Sequence, residues 1–169
     1  MLYRSNKPYP KVEVEALNPA YAAILLEDYG GIASEDTAIH LYLYQSLVAE
    51  ADVSEYKDIM LHISEVEMIH LRLLGEAITK LGYLPIYGAA NLDKINRLWN
   101  AGYVDYSTDL KQMLEIDIEA EKQAIIKYEH QLTIIKDRYI RQLITRIIED
   151  EYIHLSIFQN LYCKYFGNL

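Results

Sequence analysis

The sequence is poor in cysteine, glycine and proline, with one cysteine, seven glycines and four prolines in 169 residues. The lone Cys163 cannot close an internal disulfide or build a multi-thiolate centre. Zinc-ribbon, rubredoxin and iron–sulfur readings are therefore excluded, and any metal must be held by oxygen and nitrogen. Few helix breakers leave long segments of Leu, Ile, Glu, Lys and Gln. No period-two apolar alternation is sustained, so the predicted class is all-α. Positive charge is also short, with 16 Lys plus Arg against 25 Asp plus Glu and a net charge of −9. That balance repels phosphate backbones and anionic lipid, so neither nucleic acid nor a membrane is an expected partner. No apolar run approaches the roughly 18 residues of a membrane span, and the opening is too polar for a secretory signal; a cytoplasmic location is expected. Apolar residues make up 51% of the chain, at a length usual for one domain, and residues 1–169 are read as a single unit.

Asn18-Pro19 reads as a cap and first-turn proline of a short N-terminal helix that Gly30-Gly31 ends. A second helix is expected over about 32–51 and a third from Ser54, as cap, to Leu81, where Gly82 stops it. Residues 82–106 form a crossover too long for a hairpin turn, with a short helix expected around 91–100. Two further helices, about 107–136 and 137–165, split at Lys136-Asp137 with Asp137 as cap. The plan is a four-helix bundle of two helical hairpins, 32–81 and 107–165, joined by the long crossover.

A 4,3 spacing marks the interior stripes, and charge sits inside them. The third helix presents Ile63, Glu67, His70 and Leu74, the fourth Ile118, Glu121 and Ile125, and the fifth Ile147, Glu151, His154 and Phe158. The second, less regular, continues the pattern through Glu35, Ala38, Tyr42 and Gln45. The two halves repeat. Glu35-x-x-Ala38-x-x-x-Tyr42 matches Glu121-x-x-Ala124-x-x-x-Tyr128, and Glu67-x-x-His70 matches Glu151-x-x-His154. Glu and His at i, i+3 share one helical face, so each hairpin offers two carboxylates and one imidazole. Ionised carboxylates in an apolar interior cost several kcal/mol each, and four would consume a stability of only about 5–15 kcal/mol. Two divalent cations balance four glutamates. Glu35, Glu67, His70, Glu121, Glu151 and His154 are therefore the expected metal ligands and, through the metals, the catalytic set.

Neighbours are sorted by phase. Glu115 and Glu119 fall off the stripe that carries Glu121, and Glu65, Glu149 and Asp150 fall off the ligand positions and are expected to be solvated. Asp150 or Asp117 is the alternative candidate for a group that backs the ligands; Asp117, one turn before Glu121, could hold a ligand imidazole, and Tyr42 and Tyr128 could touch the site. His40, His62 and His130 lack matched partners and are expected at the surface or in packing.

Tyr9-Pro10, Asn18-Pro19, Tyr29-Gly30-Gly31, Glu35, Ala38, Tyr42 and Ala120-Glu121-Lys122 resemble manganese catalases and their spore-coat relatives, within the ferritin-like superfamily. The ExxAxxxY and ExxH pair is also similar to the diiron domain of rubrerythrins, and Glu67-Met68-x-His70 to bacterioferritin, although no haem is expected at Met68. The four-cysteine electron-entry domain of rubrerythrins has no counterpart here. The resemblance implies two Fe or two Mn ions per chain, hydrogen peroxide or dioxygen as reactant and a homo-oligomer. It implies catalase or peroxidase chemistry, the latter with an external electron donor. Glu67 and Glu151 would bridge the ions, and Glu35 and Glu121 would be terminal or bridging. A ferroxidase and iron store, or a non-catalytic metal-binding coat protein, are the alternatives.

Overall fold

The computed structural model describes residues 3–50, 53–91 and 94–167. Helix α1 (Pro19–Gly30) begins where Asn18 accepts from the Tyr21 amide, as the Asn-Pro pair predicts. Helix α2 (Glu35–Val48) is shorter than the expected 32–51, because Ser34 accepts from the Thr37 amide at its start and Ala49 turns extended, with ψ 146°, at its end. Helix α3 (Ser54–Lys80) gives way to Gly82 in the left-handed region at φ 92°. Ser54 is not its cap. Val53 holds that position without a side-chain bond. Helix α4 (Leu110–Ile134) starts later than the expected 107, where Asp109 accepts from the Gln112 amide. Helix α5 (Arg138–Phe166) takes the expected cap from Asp137, which accepts from the Tyr139 and Ile140 amides.

The crossover departs from expectation. In place of a short helix near 91–100 it forms an antiparallel hairpin of β1 (Gly88–Asn91) and β2 (Lys94–Leu98), with a register shift between Ala89 and Ala90. Tertiary contact overrides local pattern here. A Cβ on Gly30 would stand 2.4 Å from the Gly88 nitrogen, so the end of α1 and the start of β1 approach at a distance only glycine permits. Trp99 anchors the far strand, its amide donating to the Tyr87 carbonyl and its indole N–H to Thr37 Oγ1.

Helices α2 and α3 pack as one hairpin, α4 and α5 as the other, and α1 lies against α3. The apolar stripes meet in two clusters. One holds Leu25, Leu26, Leu74, Ile78, Ile140 and Ile144, the other Tyr56, Met60, Ile63, Leu114, Phe158 and Leu161. Each fully buried side chain of this size contributes about 1.5–3 kcal/mol. Between the clusters lies a polar layer. It falls near the midpoints of α3 and α5, the places farthest from their solvated ends. No helix among the described residues is long and apolar enough to cross a membrane.

Candidate metal centre

All six residues singled out by phase converge in that layer, and each is at least 94% buried. They form two overlapping groups, one of Glu35, Glu67, His70 and Glu151 and the other of Glu67, Glu121, Glu151 and His154, with the donor atoms of each group within 4.8 Å of one another. Glu67 and Glu151 belong to both. His70 Nδ1 lies 2.9 Å from Glu67 Oε2 and 3.1 Å from Glu151 Oε1, while His154 Nδ1 lies 2.9 Å from Glu67 Oε1 and 3.3 Å from Glu151 Oε2. The two shared carboxylates thus span the two imidazoles.

The outer nitrogens point away from the centre. His70 Nε2 is 3.0 Å from Asp150 Oδ2, and His154 Nε2 is 2.9 Å from the Tyr3 carbonyl oxygen. An Nε2–H donating outward leaves Nδ1 free as an inward lone pair, the tautomer a metal requires. Tyrosines hold the two outer glutamates crosswise between hairpins. Tyr42 of α2 donates to Glu121 Oε1 of α4 at 2.5 Å, and Tyr128 of α4 donates to Glu35 Oε1 of α2.

Electrostatics divide the carboxylates into two kinds. Burial, with the charges of Glu151 and Glu67 beside it, pushes Glu35 well above the usual carboxylate range. Burial and Glu151 do the same to Glu121. Burial also raises Glu67 and Glu151, but for Glu67 the His154 and His70 imidazoles outweigh it, and for Glu151 His70 and His154 do so against Glu67 as well. Both are held low. The two histidines are driven well up despite burial, His70 chiefly by Glu151 and His154 chiefly by Glu67.

The residues fit a pair of divalent ions. The donors are hard oxygens and imidazole nitrogens, four potential negative charges match two ions, and Glu67 Oε1 and Glu151 Oε1 are buried without a hydrogen-bond partner despite the imidazoles near them. A cavity of about 70 Å³ reaches this layer between α2 and α4, lined by Ala38, Tyr42, Ala120, Ala124, Lys127 and Tyr128 together with the ligand glutamates. Lys127 stands at its edge, its ammonium 3.0 Å from buried Asp28.

Two expectations about neighbours need correction. Asp150 is not solvated but fully buried, accepting from the Ser5 amide, the Tyr9 hydroxyl, Arg146 and His70. Asp117 holds no imidazole; although fully buried, it accepts from Tyr56, and burial raises it well above its usual range. Glu149, also expected to be solvated, is partly covered and pairs with Lys7, whereas Glu65 is exposed. His40, His62 and His130 are exposed, and so is Met68. Sequence reasoning missed Tyr3, Tyr9 and Arg146. The i, i+4 pairing of Arg146 with Asp150 was a usable signal for the last, whereas a backbone carbonyl such as that of Tyr3 leaves none.

This bundle and its layer of four glutamates and two histidines define a ferritin-like protein with a dimetal-carboxylate type of centre. The rubrerythrin profile matches residues 30–162, and the chain belongs to that family. It is similar to the probable manganese catalase of Clostridium acetobutylicum, 27% identical over 166 residues covering 88% of this chain and 73% of that protein. It is also similar to the manganese catalase of Lactiplantibacillus plantarum, at 24% identity over 185 residues covering 91% and 68%. Among solved structures, a manganese catalase from Anabaena PCC7120 superposes with a TM-score of 0.84 at 24% identity, over 100% of this chain and 82% of that one. The bacterioferritin of Desulfovibrio desulfuricans does so with 0.70 at 27%, over 88% and 83%.

Proposed function

We propose that this chain is, as one unit, a dinuclear-metal oxidoreductase that disposes of hydrogen peroxide, most simply as a catalase, with Glu35, Glu67, His70, Glu121, Glu151 and His154 as its ligands. The observation that carries this reading is the pair of donor groups sharing Glu67 and Glu151 at the inner end of a small cavity. Its similarity along most of the chain to two curated manganese catalases supports the choice of reaction. Two redox-active ions held there would supply one electron each for O–O cleavage and, in a catalase, regain the pair from a second peroxide, which leaves as dioxygen. The protein's part is placement. Glu67 and Glu151 fix the spacing, His70 and His154 complete each group, and Tyr42 and Tyr128 keep the outer glutamates turned inward. The alanine-lined cavity admits a molecule of peroxide's size while the two apolar clusters close the ends of the layer to water. An assembly of several copies, and manganese rather than iron, belong to this reading too.

Manganese-loaded protein should release oxygen from peroxide with no added reductant. If the iron-loaded form consumes peroxide only when a reductant is supplied, the peroxidase variant takes its place. The similarity to bacterioferritin favours a second reading, ferroxidase, which oxidation of ferrous iron by dioxygen with mineral build-up and no peroxide turnover would establish.

A further inference from the structure

The chain before α1 does more than lead into the bundle. Residues 3–9 lie across the outer nitrogens of both histidines. The Tyr3 carbonyl accepts from His154 Nε2 at 2.9 Å, and the Ser5 amide at 2.7 Å and the Tyr9 hydroxyl at 2.6 Å both donate to Asp150, which accepts from His70 Nε2. Arg146 ties the same strap to α5. Its guanidinium donates to the Lys7 and Ser5 carbonyls and to Asp150 Oδ1, and it lies 4.2 Å from the Tyr9 ring. Tyr3 is separately anchored by stacking on His62 at 4.8 Å. These bonds arise from opposite ends of one short segment, and together they reach both halves of a site that the helices otherwise build alone.

We propose that this N-terminal strap is the outer wall of the metal centre, fixing both imidazoles in the tautomer that turns Nδ1 inward, so that strap docking and metal binding reinforce each other. The inference rests on the dimetal reading of the six residues. Its logic is linkage. A strap that stabilises the metal-binding tautomer is itself stabilised, by the same factor, when metal binds. The two halves differ in how they depend on it. His154 relies on a main-chain carbonyl, and His70 on a carboxylate that the strap positions.

Two measurements on the full chain test this. In hydrogen exchange with zinc, which is redox-silent, the Ser5 amide should slow by about tenfold or more between chelated and loaded protein. The Glu15 amide, which bonds Asp137 away from the site, should slow less. Equal slowing at Ser5 and Glu15, or none at Ser5, overturns the inference. The second measurement uses Asp150→Asn. Arg146 and the Ser5 amide require an acceptor at Oδ1, so the new amide nitrogen faces His70 Nε2 and forces the proton onto Nδ1. Zinc titration should then show one of the two ions weakened by about 10- to 100-fold and the other retained, and the His70 nitrogen shifts should report the changed tautomer. Two ions weakened equally would mean that Asp150 only supports the fold, and two unweakened ions would mean that it does not position His70; either result overturns the proposal. A wild-type chain that binds neither ion overturns the dimetal reading along with it.

Discussion

The Tyr42 hydroxyl of α2 donates across the bundle to Glu121 Oε1 of α4 at 2.5 Å, and Tyr128 returns the same contact from α4 to Glu35 of α2. Each outer glutamate is therefore aimed by the opposite hairpin, and the duplicated sequence pattern is also a mutual clamp. Tyr42→Phe removes the clamp on Glu121 while keeping the ring in the core. Activity should fall about tenfold or more with little change in melting temperature, and Tyr128→Phe should do likewise through Glu35. Steady-state peroxide consumption alongside thermal unfolding checks both.

Sharing of ligands makes a stoichiometric prediction. Glu67 and Glu151 serve both donor groups, whereas Glu35 and Glu121 serve one each. Elemental analysis after loading should therefore approach two ions per chain for wild type, near none for Glu151→Ala or Glu67→Ala, and about one for Glu35→Ala or Glu121→Ala. Glu65→Ala should keep both ions, and Glu149→Ala, which frees Ser5 and Lys7 of the strap, should lose far less metal than Glu151→Ala. Loss from either as large as from the shared pair would refute the ligand assignment.

The pH dependence of stability should depend on loading. In metal-free protein, the raised Glu35 and Glu121 disfavour their charged forms in the fold, so stability declines as pH rises past the ordinary carboxylate range toward their folded values. The raised His70 and His154 act in the same direction, their contribution being complete below the unfolded histidine value near 6.5 and lost as pH climbs through their folded values. Glu67 and Glu151, held low, add stability that is lost only on acidification. Chelated protein should thus be firmest in mild acid and weaken toward alkaline pH. Metal-loaded protein should lose that alkaline decline, because the ions then carry the balancing charge. Urea unfolding at pH 5.5, 7 and 8.5 in both states reads the difference, and parallel pH curves would contradict it.

The helices and the six central residues were legible in the sequence because both rest on period. Glu67, His70, Glu121, Glu151 and His154 break strong apolar stripes at positions where charge has no other physical excuse, and Glu35 falls in step with them through the repeat. The hairpin at 88–98 was not legible, since a few residues of strand carry little periodicity and this pair is held by the backbone approach of Gly88 to Gly30. Asp150 was misjudged for a related reason. Phase places it on the flank of α5, and there His70 of α3 on one side and the strap around Ser5 and Tyr9 on the other together bury it. Helical phase reports what a helix shows its bundle neighbours, and it is blind to what an extended segment lays over the outside.

The cavity beside Ala38, Ala120 and Ala124 runs along the seam between hairpins, where alanine methyls stand among the tyrosines and glutamates of the lining. If the proposed centre holds its ions, that seam would act as a sieve whose mesh is set in part by residues outside the six proposed ligands. Carbon added at Ala38, Ala120 or Ala124 would narrow the passage, so on the proposed reading the range of molecules reaching the centre could be retuned along α2 and α4 apart from the reactivity set in the polar layer behind them.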